Sequence, residues 1–190
     1  EWSWGDTLGP RLTGYVAERD GQFALVANEK AIGWYDEVKD VVGSTDGLHV
    51  AFSAIANGKA LAVVDGVAWP DCDELAQPAG FAAQGGGAVC ICKRGEKMSV
   101  IRDGREGPLH DLVYGPYSYA LADCFSPDGK RFAYIARDNK KDAMYVDGVP
   151  GPAFDDIVGD GPIGYRPDGA IEYMGIRGQT LYRIVVAPAG

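Results

Sequence analysis

The chain has 190 residues, of which 46% are hydrophobic and 24% charged, with a formal net charge of −9. That is enough chain to bury one domain core, and the balance is not that of a disordered segment. The acidic excess argues against general binding to nucleic acid or to anionic membrane, because neutralising phosphates needs an excess of Lys and Arg. Apolar runs such as 61–64 and 184–187 are strand-length, well short of the roughly 18 residues of a membrane helix, so no membrane insertion is expected.

In chain order, the first feature is Trp4-Asp6-Leu8: an apolar residue, Asp two positions on, an apolar residue two further. The same triplet returns at Trp34-Asp36-Val38, Leu109-Asp111-Val113 and Phe154-Asp156-Val158, with Asp73-Leu75 as a partial copy behind Trp69. Between the triplets, glycines recur in pairs: Gly47 and Gly66, Gly85 and Gly104, Gly129 and Gly148, with Gly169 and Pro188 as a degenerate last pair. Most sit in D-G turns, where positive φ is needed to reverse a β-hairpin. Between the paired turns lie two short apolar runs and a polar tip, as in Phe132-Ala133-Tyr134-Ile135 and Ala143-Met144-Tyr145-Val146 around 137–141. Runs rich in Val, Ile, Tyr and Phe and this short are strands. One unit therefore reads strand a, turn, strand b, polar hairpin, strand c, turn, strand d. Four antiparallel strands in roughly 40 residues, repeated, define a propeller blade.

The decapeptide Phe125-Ser126-Pro127-Asp128-Gly129-Lys130-Arg131-Phe132-Ala133-Tyr134, with a second copy at Tyr165-Arg166-Pro167-Asp168-Gly169, resembles the S-P-D-G repeat of bacterial WD40-like propellers of the TolB type. The other units have drifted: Ser44-Thr45-Asp46-Gly47 lacks the Pro, and Ala83-Gln84-Gly85 lacks Pro and Asp. The resemblance implies a fold, and such propellers do many jobs.

The expectation is a single all-β domain over 1–190, a five-bladed β-propeller. Its units lie at about 10–38, 39–76, 77–114, 115–159 and 160–190 plus 1–9. In the favoured closure, Trp4-Asp6-Leu8 supplies strand d of the last blade, removing an open edge. In the competing reading 1–10 is strand a of the first blade, supported by the small or β-branched residues Gly5, Val42, Gly80, Cys124 and Gly164 five positions before each turn. Both readings give nineteen strands.

Chemistry is sparse. Cys72, Cys90, Cys92 and Cys124 match no zinc spacing and read as buried free thiols. His110 and Asp111 are adjacent on a strand and point to opposite faces, so they form no dyad. The turn aspartates Asp46, Asp65, Asp103, Asp128, Asp147 and Asp168 read as turn formers rather than a calcium face. Neither a metal nor another cofactor is expected. The recurring Asp36, Asp111 and Asp156 read as structural acceptors of backbone N–H groups. Paired carboxylates such as Asp71 and Asp73 keep a degenerate glycoside hydrolase-like propeller in view, which needs two carboxyls across a groove.

The opposite end carries the b–c tips, with Arg19, Lys93, Arg94, Lys97, Arg137, Lys140, Lys141 and Arg177, eight of the 18 basic residues. The longest departure from the repeat is 114–119, with Tyr114, Tyr117 and Tyr119. Tyrosines on a loop of a rigid scaffold, beside cations, are contact residues for proteins or sugars. The candidate ligand-binding site is therefore Tyr114, Tyr117, Tyr119, Arg137, Lys140 and Lys141. The expected function is a non-enzymatic binding module for a protein partner. A carbohydrate-binding lectin is the alternative, and it would repeat one aromatic and polar pair in every blade. Beginning at Glu1 rather than Met, the chain reads as a soluble protein, either cytoplasmic or exported with its signal removed.

Overall fold

The computed structural model describes residues 3–7, 13–83, 87–114, 121–158 and 163–188. Twenty strands form five antiparallel four-stranded sheets among these residues. The first sheet holds β1 (Ser3–Thr7), β2 (Thr13–Arg19), β3 (Gln22–Ala27) and β4 (Lys30–Tyr35), in that order. The second holds β5 (Glu37–Gly43), β6 (Val50–Ala56), β7 (Lys59–Val64) and β8 (Val67–Ala68). The third holds β9 (Glu74–Phe81), β10 (Ala88–Arg94), β11 (Lys97–Arg102) and β12 (Arg105–Glu106). The fourth holds β13 (Leu112–Tyr114), β14 (Ala133–Asp138), β15 (Lys141–Val146) and β16 (Val149–Pro150). In the fifth, β17 (Asp156–Val158) and β18 (Gly164–Tyr165) share one side of β19 (Ile171–Arg177), and β20 (Thr180–Val186) pairs with the other.

The core is divided by interface. Leu25, Ile32 and Tyr35 of the first sheet pack on Phe52 and Val63 of the second. Ala51 and Ala62 meet Cys90, Cys92 and Ile101 of the third. Val89 and Val100 meet Val113, Tyr134 and Ala136 of the fourth. Met144 and Val146 meet Ile157, Ile171 and Tyr173 of the fifth. A strand in a sheet packed on both faces has no polar side, so its sequence reads as a continuous apolar run rather than an alternation.

Both tight-turn families explain their aspartates. At the c–d turns Asp65, Asp103 and Asp147 have φ near +50° and are followed by Gly. Their carboxylates accept the N–H of Val50 and Ala88, which open β6 and β10, and of Phe132, just before β14, at 2.9–3.0 Å. At the a–b turns Asp46 and Asp128 accept the hydroxyls of Ser44 and Ser126 and the N–H of Leu48 and Lys130. Asp168 accepts the N–H of Ala170.

Three expectations are corrected. First, residues 3–7 do not complete the last sheet: β1 pairs with β2, Ser3 opposite Val16 and Asp6 opposite Gly14, with a register shift between them. β5 shifts its register at the same place, between Lys39 and Val42. Asp6 thus occupies the position of Val42, and the Trp4-Asp6-Leu8 echo of Asp36 is coincidental. For residues 3–7 the competing reading holds, with Asp6 rather than Gly5 at the Val42 position. Second, the apolar–Asp–apolar triplet straddles a handover between sheets. Strand d ends at Tyr35, and β5 begins at Glu37, pairing with β6. The fifth sheet then gains a fourth strand because its strand a is split into β17 and β18, which gives twenty strands in place of nineteen. Third, Cys72 and Cys92 form a disulfide between the second and third sheets; Cys90 and Cys124 are the free, buried thiols, both pushed up to about 12 by burial.

Candidate functional site

The hairpin end is organised by one device at every handover. The residue that ends strand d and the aspartate after it form a dipeptide: Tyr35-Asp36, Cys72-Asp73, His110-Asp111 and Phe154-Asp155. The first member bonds strand c of its own sheet, as in the paired N–H and C=O of Ala60 with Cys72, Met98 with His110 and Asp142 with Phe154. Its side chain packs on the next sheet: Tyr35 against Phe52, His110 against Tyr134, Phe154 against Tyr173. Cys72 does so covalently, through Cys92. A Cβ on Gly175 would lie 2.6 Å from the Phe154 ring, so that glycine is required for the ring to seat.

The second member is a clamp. One oxygen of Asp36, Asp73, Asp111 and Asp155 accepts the tip N–H of the next sheet's b–c hairpin, from Asn57, Gly95, Asn139 and Gly178, at 2.6–2.8 Å. The other oxygen of the last three takes the ammonium of Lys59, Lys97 and Lys141, each 14 residues earlier. These lysines, then the tip amides, hold the carboxyls of Asp73, Asp111 and Asp155 below the usual carboxylate range. The structural role expected for Asp36 and Asp111 is present; at the fourth handover it belongs to Asp155 and not to Asp156.

Carboxylates take up at least four of the eight cations of the hairpin end. Lys141 is spent on Asp155, Lys97 on Asp111, and Arg94 on Glu106 and Asp71. Arg137 makes a two-pronged pair with Asp142, 2.6 and 2.8 Å, whose carboxylate is buried; the pair raises the Arg137 pKa. The expected segregation of basic charge to this end is thus corrected: its cations are interleaved with carboxylates.

Of the predicted site residues, Tyr114 and Arg137 are brought together, the guanidinium 5.2 Å from the ring centroid. Tyr117 and Tyr119 lie outside the described residues. Lys140 is exposed at the tip with φ +63°, and has no ion pair among the described residues. The equivalent second tip position of the first two sheets is glycine, Gly21 and Gly58, both at positive φ. A lysine there is strained, since its Cβ crowds the backbone in the left-handed region.

Sequence reasoning missed one pair. His110 is buried, and its Nδ1 lies 2.6 Å from Asp138 Oδ2, across the interface between third and fourth sheets. Its Nε2 has no hydrogen-bond partner among the described residues, and the Tyr134 and Tyr145 rings flank the imidazole at 6.1 and 4.8 Å. The pair is a strand-d knob anchored by the next hairpin. Alignment of His110 with Tyr35 and Phe154 was the available signal.

No family model matches the chain, and no curated protein matches it. Among solved structures it is similar to TolB from Acinetobacter baumannii, at 15% identity over 94% of this chain and 50% of that one, TM-score 0.40. It is also similar to the β-propeller domain of the Trilobed protease from Pyrococcus furiosus, titled as revealing an open velcro topology, at 12% identity over 98% of this chain and 72% of that one, TM-score 0.47. A third is Kuenenia stuttgartiensis hydrazine synthase, at 14% identity over 92% and 58%, TM-score 0.34. The chain thus spans half the length of the TolB structure it matches. The architecture, antiparallel four-stranded sheets in series, is that of a β-propeller.

Proposed function

We propose that the chain is a non-enzymatic protein-binding module, a five-bladed propeller that presents its hairpin end around Tyr114, Arg137 and Lys140. The observation that carries this reading is Lys140. Its exposed cation is kept at a tip position whose geometry favours glycine, and backbone strain of this kind concentrates at functional positions. Arg137, fixed by Asp142 and packed on Tyr114, supplies a rigid neighbour, as contact residues on a scaffold require. Lys140→Gly tests the reading. It should stabilise the fold by about 1 kcal/mol by relieving the left-handed lysine. It should also abolish capture of a partner protein by a photo-crosslinker placed in the neighbouring tip. Unchanged capture by the stabilised variant would refute the site.

A further inference from the structure

Asparagine stands at positive φ in three described turns: Asn28 at +48°, Asn57 at +53° and Asn139 at +51°. The residue after it differs, being Glu29, Gly58 and Lys140. Asn57-Gly58 is the two-residue connection of the β6–β7 hairpin, with Ala56 paired to Lys59 on either side of it. Such a turn favours Asn-Gly because both central residues need positive φ. The same dipeptide is chemically labile. The backbone nitrogen after an asparagine attacks the side-chain carbonyl carbon, and a Cβ on the attacking residue hinders its approach. Asn57, Gly58 and Lys59 are all exposed, and a Cβ built on Gly58 would meet nothing within 4 Å. Among the described residues, neither the Asn57 side-chain amide nor the Gly58 N–H makes a hydrogen bond. The tip is held by the Asn57 N–H, which donates to Asp36 Oδ2 at 2.8 Å. Rotation about the Asn57 Cα–C bond therefore brings the Gly58 nitrogen onto Cγ without displacing a packed group.

We propose that Asn57-Gly58 is a site of spontaneous deamidation, and that its product releases the clamp Asp36 places on this tip. Hydroxide takes the Gly58 N–H proton and the nitrogen bonds Asn57 Cγ. The Cγ–Nδ2 bond breaks, and Nδ2 leaves as ammonia with a proton from water. Water then opens the resulting succinimide. Cleavage of the new N–Cγ bond gives aspartate on the original chain path. Cleavage of the old N–C bond gives isoaspartate, whose main chain runs through Cβ and Cγ. Either product carries a carboxylate on the residue whose N–H rests against the Asp36 carboxylate, and like charges that close repel. At Asp73, Asp111 and Asp155 a lysine 14 residues earlier shares the clamp, whereas the residue 14 before Asp36 is Gln22. The reaction thus falls on the clamp with the least to hold it, between the first and second sheets. This tip is not the one that carries Lys140, so the two proposals fail independently.

The experiment ages the whole chain in mildly alkaline buffer and maps it by peptide mass spectrometry, with Asn28 and Asn139 as references in the same digest. Asn57 should convert to a mixture of aspartate and isoaspartate, faster than in mildly acidic buffer, while Asn28 and Asn139 stay amides. Hydrogen exchange of the aged protein should show the backbone N–H of residue 57 losing its protection. Asn57→Asp, which supplies the acid without the reaction, should lower the melting temperature. Adding Asp36→Asn should recover that loss, as a general folding defect would not. Survival of the Asn57 amide for as long as those of Asn28 and Asn139 overturns the site. Conversion that leaves the residue 57 N–H protected, or a loss in Asn57→Asp that Asp36→Asn does not relieve, overturns the release of the clamp.

Discussion

The fourth and fifth sheets are built from the same unit and end differently. In the fourth, Phe154 closes strand c and seats its ring on Tyr173, Tyr182 and the bare backbone at Gly175, while Asp155 clamps the next tip. In the fifth, Leu181 stands at the strand-c position that Phe154 covers one sheet earlier, with no strand against it among the described residues. A single sheet therefore does not carry its own stability here. The residue that ends one sheet is a core residue of the following one.

The largest effect should separate these two positions. Phe154→Ala removes a ring that is 2% exposed and should cost about 3–5 kcal/mol in denaturant unfolding. Leu181→Ala, on the open edge, should stay within about 0.5 kcal/mol. Equal losses would mean that β20 is covered.

The handover between the second and third sheets is covalent. Reducing Cys72–Cys92, which closes a span of 20 residues, should destabilise the fold by about 2–4 kcal/mol. Cys90→Ser should not reproduce it, because Cys90 is free. If reduction leaves the melting temperature unchanged, the bond is not holding that handover.

The smallest effect is at the clamps. Asp155→Ala should lower the melting temperature more than Asp156→Ala, since it is Asp155 that holds the tip amide of Gly178 and the ammonium of Lys141. The carboxyls of Asp73, Asp111 and Asp155 are depressed in the folded state. Their contribution is thus fully present above the unfolded carboxylate range, about pH 4, and is lost as pH falls through the lower folded values. A triple Asn variant should flatten that acid limb of the stability curve; an unchanged limb would remove the clamps from the account.

Much of this was legible in the sequence. Four-strand units, their turns and the all-β class follow from the D-G spacing, because a positive-φ turn constrains residue type. The handover was not, because a triplet such as Phe154-Asp156-Val158 has the right period for either sheet. Only pairing shows that Val38, Val113 and Val158 belong to the following one. Position 155 was visible as the residue 8 after Asp147, matching Asp36, Asp73 and Asp111 after Asn28, Asp65 and Asp103. The disulfide was hidden for a related reason. Cys72 is a strand-d knob, and Cys92 aligns with Ala54, Ala136 and Gly175 on strand b of the next sheet, a contact no spacing rule encodes. At the candidate site, the tyrosine-rich loop was singled out by its departure from the repeat and the tip by its cations and its place beside that loop. Neutralisation of Lys141 was not, since its partner lies 14 residues away across a turn.

The central claim is that in each of the first four sheets strand c is covered by strand d at one register, while among the described residues no strand lies on the outer side of β20. Amide hydrogen exchange resolved to single residues tests it directly. The amides of Ala60, Met98 and Asp142, bonded to Cys72, His110 and Phe154, should be protected, while that of Leu181 exchanges at close to the unprotected rate. Protection of Leu181 equal to that of Asp142 would contradict the account, because a strand would then already lie on β20.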